Sequence, residues 1–151
     1  MTIAGTVGAP RAARDDDRGA ILDLLRQAAL PTDDLEAGTP VDFWVVADGV
    51  RPVGAIGLER HGMDGLLRSL VVDPAHRGHG LGVALVDALE RAARSSGIRR
   101  LVLLTRTAEP FFERRGYAVT PRSSIDADVA DSAEFRSLCP ASATCMTKVF
   151  A

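Results

Sequence analysis

Aromatic residues are scarce, at 5% of 151 positions, with one tryptophan and one tyrosine. The core must therefore be built from Leu, Val, Ala and Ile, and Tyr117 is the only tyrosine available for catalysis. Long apolar runs are also missing. None approaches the ~20 residues that span a bilayer, and the N-terminal stretch carries acids and arginines where a secretory leader needs an apolar segment. Both point to a cytoplasmic protein with no membrane partner. Charge of one sign is lacking too. The net charge is −2 and basic residues alternate with acids, which excludes the basic stripe of a general nucleic-acid binder. Cysteine is limited to Cys139 and Cys145, read as free thiols in a reducing compartment and as small residues at the edge of the last strand. Two cysteines without a third ligand or a nearby histidine make a poor site for a soft metal, so no metal is expected.

What is present fits a single domain over residues 1–151, with residues 1–6 as a loose tail. A first strand is expected near Val7–Arg14. Asp15-Asp16-Asp17 offers an N-cap to a helix carrying Ile21, Leu24, Leu25 and Ala28 at helical spacing, and Leu30-Pro31 ends it. Thr32–Val41 reads as a loop with a short helix. Phe43–Ala47 and Pro52–Glu59 are strands joined at Asp48-Gly49. A turn at His61–Gly65 leads to the strand Leu66–Val72, which Asp73-Pro74 stops. A long helix from Gly80 to Ser96 follows, with Gly97 placed to cap its C-terminus. Leu101–Leu104 is a strand, Glu109–Arg115 a short helix, Tyr117–Val119 a strand, Asp126–Ser137 weakly helical and Ala143–Val149 the last strand. The order predicts an α/β fold, a mixed and mostly antiparallel sheet of about seven strands flanked by about four helices.

The chemistry gathers at Arg77-Gly78-His79-Gly80-Leu81-Gly82, between an apolar strand and a long helix. Three glycines let successive backbone N–H groups face an anion. The helix N-terminus adds unsatisfied donors and partial positive charge, and Arg77 adds a cation. The loop is a cradle for a diphosphate. A P-loop would continue Gly-Lys-Ser/Thr, but Gly82-Val83-Ala84 follows. A dinucleotide fingerprint needs its third glycine at Val83 and an acid at the end of the next strand, where Leu104-Thr105 stands.

The pattern Arg-x-x-Gly-x-Gly resembles the acetyl-CoA-binding motif of the GNAT acetyltransferase superfamily. Leu67–Asp73 is similar to the strand whose backbone pairs with the pantetheine arm, and the segment Ala108–Tyr117 to the short helix and Gly-aromatic strand start. The segments Leu66–Ser69, Thr105–Phe112 and Ser137–Met146 resemble the arsenic-resistance N-acetyltransferases. They are more distantly similar to the acetyltransferase domain of N-acetylglutamate synthase. The resemblance implies acetyl-CoA as donor, bound by Leu70, Val71, Val72, Arg77, Gly78, His79, Gly80, Leu81, Gly82, Phe111 and Phe112. It further implies a thioester held where the Leu67–Asp73 strand and the Leu101–Leu104 strand splay apart, and homodimerisation through the C-terminal strands. The implied acceptor is a small amino-acid-like amine, extending to an arsenic-containing glutamate analogue. Acetylation of a peptide N-terminus or lysine, and a non-catalytic acetyl-CoA-binding module, are the alternatives.

Direct transfer needs a neutral amine, a polarised thioester carbonyl and a proton for the departing thiolate. Where many superfamily members carry a tyrosine acid, this chain has Phe112. Thr105, Thr107, Tyr117 or a water remain as donors, with Thr105 taken first and Tyr117 read chiefly as core, or there is no dedicated acid, since a CoA thiol is itself a fairly good leaving group. Glu59 or a water is the expected base, with His61 and His79 as alternatives to Glu59. Arg68 interrupts an apolar strand on the face of Leu66, Leu70 and Val72, and a buried charge there demands a partner. It reads either as a clamp for the acceptor carboxylate or as an ion pair with an acid at the edge of the core. Ser69, Thr107, Arg106, Arg136 and Ser137 complete the candidate acceptor contacts.

Overall fold

The computed structural model describes residues 7–139 and 142–150, the side chains of Ser137 and Leu138 excepted. In chain order the elements are β1 (Arg11–Ala12), α1 (Arg18–Gln27), α2 (Asp33–Glu36), β2 (Asp42–Asp48), β3 (Arg51–His61), β4 (Asp64–Val72), α3 (Leu81–Ser95), β5 (Arg100–Thr105), α4 (Glu109–Arg114), β6 (Ala118–Val119), α5 (Ala127–Ala130) and β7 (Thr144–Val149). The strands form one seven-stranded sheet in the order β1-β2-β3-β4-β5-β7-β6. Pairing is antiparallel at β1–β2, β2–β3, β5–β7 and β6–β7, and parallel at β4–β5. The mixed, mostly antiparallel sheet with flanking helices is the architecture the sequence predicts.

Several boundaries move, each for a local reason. The expected first strand shrinks to β1 and a single bridge between Val7 and Asp48. The turn expected over His61–Gly65 contracts to Gly62-Met63. Gly62 adopts φ +65°, which closes a tight hairpin and leaves His61 and Asp64 in the strands. Asp15–Asp17 forms a 3₁₀ turn, and no side-chain cap bonds α1. The carboxylate of Asp17 faces backward instead, accepting the Arg14 N–H at 2.7 Å and the Arg11 guanidinium at 2.7 and 3.2 Å. The helical tendency of Asp126–Ser137 divides into α5 and a π-helical turn, Glu134–Leu138.

The chain gathers into two compact units, and β3 and β4 pass through both. The first holds the described residues up to Leu58 together with Ser69–Ala92. Its core places Ile21, Leu24 and Leu25 of α1 and Leu35 of α2 against Val45, Ala55 and Val71 of the strands. Gly54 lets α3 come close to the sheet. A Cβ there would lie 2.9 Å from Val46 Cγ2, 3.2 Å from the Val71 carbonyl oxygen and 3.3 Å from Leu85 Cδ1.

The second unit holds Glu59–Arg68 and the chain from Ala93 onward. Its β4–β5 ladder pairs Asp64 with Arg100, Gly65 with Leu101 and Leu66 with Val102. Asp64 and Arg100 are bonded in addition through their side chains, at 2.8 and 3.2 Å. Leu66, Val102 and Cys145 make a core with Ile125 and Val129. The end of α3 is fixed by Gly97 at φ +90°, with Gly97 N–H bonded to Arg94 O and Ile98 N–H to Ala93 O. This is the glycine cap the sequence indicates, in its two-bond Schellman form.

Two stability predictions follow from these contacts. Gly54→Ala should lower unfolding free energy by about 1–3 kcal/mol through overpacking, read as a lower denaturant midpoint; an unchanged midpoint would show that α3 can lift away at no cost. Asp17 titrates below its ordinary value of 3.8, first because Arg11 bonds its charged form, with burial opposing. A depressed carboxyl stabilises the fold above the unfolded value, and that contribution is lost as pH falls through the folded one. Denaturation midpoints measured downward from pH 5 should therefore fall less steeply in Asp17→Asn than in the parent. Parallel pH curves would remove this ion pair from the account.

Candidate functional site

In the first unit, β4 ends where Asp73 N–H bonds the Val53 carbonyl at 2.8 Å. Asp73 Oδ1 then accepts the Ala75 N–H at 3.0 Å and caps the short turn Pro74–His76. The Arg77 Nε–H donates to the Val72 carbonyl at 3.2 Å, which ties the loop back to the end of the strand. Gly78 and Gly80 hold φ +85° and +76°, left-handed values that side chains resist. The space where a Cβ would project from either is open. The Gly80 carbonyl accepts from Ala84 N at 3.0 Å, so the amides of Leu81, Gly82 and Val83 open the helix with no carbonyl of their own helix to bond. Arg77, Gly78, His79 and Gly80 are exposed, and Leu81 and Gly82 half-buried. The loop thus presents backbone donors, a helix terminus and a cation to solvent, and these residues fit a diphosphate.

The second unit contains a buried polar cluster. Arg68 has a side chain 0% exposed. Its Nη1 bonds Glu59 Oε1 at 3.0 Å and its Nε bonds Glu134 Oε2 at 3.1 Å. The second oxygen of Glu59 lies 2.6 Å from His61 Nε2, and the Cys139 thiol approaches Glu134 Oε1 at 3.8 Å. Arg68 therefore answers its own charge with two buried carboxylates, and of its two readings the ion pair is the one found. The face assignment changes as well. Ser69 adopts φ +59° within β4, and a left-handed residue interrupts the period-two alternation. The parity that linked Arg68 to Leu70 and Val72 stops at Ser69.

Glu134 escaped the sequence reading. Its signal was indirect: a buried guanidinium has more N–H donors than one carboxylate can satisfy, and Glu134 is an acid in the weakly helical segment before the last strand. Cys139 sits at the end of the same π-helical turn rather than on the strand, while Cys145 lies within β7. Burial, reinforced by the charge of Glu134, pushes the Cys139 thiol up to about 11. A thiol so held is protonated at neutral pH and has little of the thiolate character that binds soft elements. Among the described residues no group of three or more His, Cys, Asp or Glu side chains could hold a metal.

The remaining candidates fall in several settings. Thr105 ends β5, and its hydroxyl accepts the Ala108 N–H at 3.0 Å, which leaves the O–H to donate elsewhere. Thr107, Arg106 and Arg136 are exposed, and the side chain of Ser137 lies outside the described residues. Phe112 is buried, edge-on to Phe111 at 5.1 Å and to Tyr117 at 5.4 Å. Phe112 and Tyr117 are thus core aromatics, and Phe111 alone of the two phenylalanines is only half-buried. Leu70 and Val72 are half-buried, whereas the Val71 side chain belongs to the core of the first unit. A half-open cavity of about 420 Å³ in the first unit lies against Arg14, Arg18, Leu22, Phe43 and Trp44. None of the candidate catalytic, cofactor-binding or acceptor residues lines it.

Comparison with known proteins gives these features a setting. The family described as Acetyltransferase (GNAT) domain matches residues 39–119, more than half of the chain. A solved structure of Rv2747 from Mycobacterium tuberculosis, in complex with CoA and NLQ, is 30% identical with a TM-score of 0.78; the match covers 95% of this chain and 100% of that one. An amino-acid acetyltransferase of the same organism is 40% identical over 67 residues, 44% of this chain and 38% of that protein. N-acetylglutamate synthase from Neisseria gonorrhoeae, complexed with coenzyme A and N-acetyl-glutamate, shares the fold at 18% identity and a TM-score of 0.78, over 96% of this chain and 35% of that one. The chain spans less than two thirds of the length of the curated relatives it matches. The Arg77–Gly82 loop lies inside the matched region, and the chain belongs to the GNAT acetyltransferase family.

Proposed function

We propose that this protein is an N-acetyltransferase that moves an acetyl group from acetyl-CoA to the amine of a small amino-acid-like acceptor. The observation that carries the donor half is the loop at Arg77–Gly82, whose left-handed glycines open onto the start of a 15-residue helix. Arg77 and the amides of Gly78–Gly82 would hold the diphosphate, with the backbone of Leu70, Val71 and Val72 along the arm. Bound there, the donor supplies a thioester carbonyl activated for attack. The acceptor half is supported by the relatives: an amino-acid acetyltransferase at 40% identity over 67 residues, and a structure 30% identical that carries NLQ beside CoA.

On this reading Glu59, directly or through water, receives the proton of the acceptor ammonium, and Thr105 returns one to the thiolate. Ser69, Thr107, Arg136 and Ser137 are the acceptor contacts. Arg68 acts on the acceptor through Glu59, because its own hydrogen bonds go to Glu59 and Glu134. The narrower proposal is an arsenic-containing glutamate analogue as acceptor, in a homodimer of the cytoplasm. Phe112 in the usual place of a tyrosine acid favours one second reading, a module that binds acetyl-CoA without turnover.

Free CoA release should be followed with acetyl-CoA and a panel of amino acids, glutamate, an arsenic-containing glutamate analogue and a lysine peptide. Release with an amino acid and not with the peptide is expected. Tight donor binding with no release from any acceptor would favour the non-catalytic module. Gly80→Val places a β-branched side chain at φ +76° in the loop and should weaken acetyl-CoA binding at least tenfold by calorimetry, about 1.4 kcal/mol. Unchanged affinity would refute the cradle.

A further inference from the structure

We infer that the proton acceptor is His61, through its Nδ1, and that Glu59 is the positioning residue that makes it one. The inference rests on the acetyltransferase reading above and reassigns the base within it. Both oxygens of Glu59 are engaged, Oε1 by the Arg68 guanidinium at 3.0 Å and Oε2 by His61 Nε2 at 2.6 Å. Beside a guanidinium the carboxylate is charged and can only accept. The proton of the short contact therefore sits on His61 Nε2, and the lone pair of the neutral ring falls to Nδ1. A carboxylate that fixes one imidazole tautomer, so that the opposite nitrogen can take a proton, is the arrangement of a His–carboxylate dyad. The His61 side chain is 19% exposed at the mouth of the Gly62-Met63 turn and the Glu59 side chain 7%. The imidazole is the more open of the two to water.

The surrounding charges suit this role. Glu59 touches the ring directly, and Arg68 and Glu134 stand behind it. Arg60 on the same strand is turned to the Ser96 hydroxyl at 2.6 Å, and Asp64 on β4 is held by Arg100. Behind the ring the Arg68 guanidinium is shared by the carboxylates of Glu59 and Glu134, and Arg122 acts electrostatically on Cys139 beside Glu134. In the reaction the ammonium gives one proton to Nδ1 and the freed nitrogen forms the N–C bond to the acetyl carbonyl. The C–S bond then breaks, the second proton lost by nitrogen ends on the CoA sulfur, and the proton on His61 leaves to water.

Two measurements test this. In ¹⁵N NMR of the free protein, with the His61 signals assigned by their loss in His61→Gln, the neutral ring should be the Nε2–H tautomer. An Nδ1–H tautomer would overturn the proposal without reference to turnover. In kinetics, His61→Gln should lower kcat about a hundredfold, leave the KM for acetyl-CoA unchanged and remove the acid limb of the kcat/KM profile. Added imidazole should restore part of the rate to His61→Ala. A wild-type acid limb retained in His61→Gln, or a full rate, would return the role to Glu59. If the parent releases no CoA with any acceptor, it is the acetyltransferase reading that fails, and the tautomer stands as a separate result.

Discussion

A guanidinium removed from water is the most demanding group in the second unit. Taking a charge into a protein interior costs several kcal/mol unless partners replace the water it loses. Arg68 meets that demand with Glu59 from the neighbouring strand and Glu134 from the π-helical turn. Much else follows from the two bonds. Glu59 is held with its second oxygen toward His61. Glu134 is drawn inward, which carries the Cys139 thiol beside a carboxylate and away from thiolate chemistry. A buried charge of this kind is poor evidence for stability, but it does fix which residues meet, because breaking either bond strands the other group.

The first unit depends on backbone instead. Its cradle needs three conditions at once: a strand that stops on cue, glycines able to take left-handed φ, and a helix that begins in the loop. Asp73, Gly78, Gly80 and the Gly80–Ala84 bond provide them. The close seat of α3 over Gly54 sets where that helix starts relative to the strands. In the proposed reaction, donor recognition rests on main-chain geometry and the proton chemistry on side-chain charge.

This division explains what could be read in the chain. Backbone devices have local signatures, so Asp73-Pro74, the glycine run and Gly97 gave the strand stop, the turn into the long helix and the helix cap in advance. The sheet was legible for the same reason, as short apolar segments separated by turn residues. The charge cluster was not. Arg68 and Glu59 stood out singly, as an arginine in an apolar strand and an acid at a strand end, but pairing them with Glu134 requires the fold, because that acid lies far along the chain in an irregular turn. The alternation of faces along β4 breaks at Ser69, and a positive φ in a serine has no sequence signal comparable to glycine. The burial of Phe112 between Phe111 and Tyr117 was not legible, because a core aromatic and a ligand-facing one look alike in a motif.

The wide sequence separation of Arg68 and Glu134 also bears on the order in which the protein is made. Every residue of the first unit has left the ribosome once Ala92 emerges, so its α1–α2 core can form on the nascent chain. The β3–β4 hairpin leaves the ribosome in the same interval, but its arginine lacks one of its two carboxylates until the last part of the chain is synthesised. During that interval Arg68 remains hydrated, and the second unit completes its packing only after Glu134 arrives.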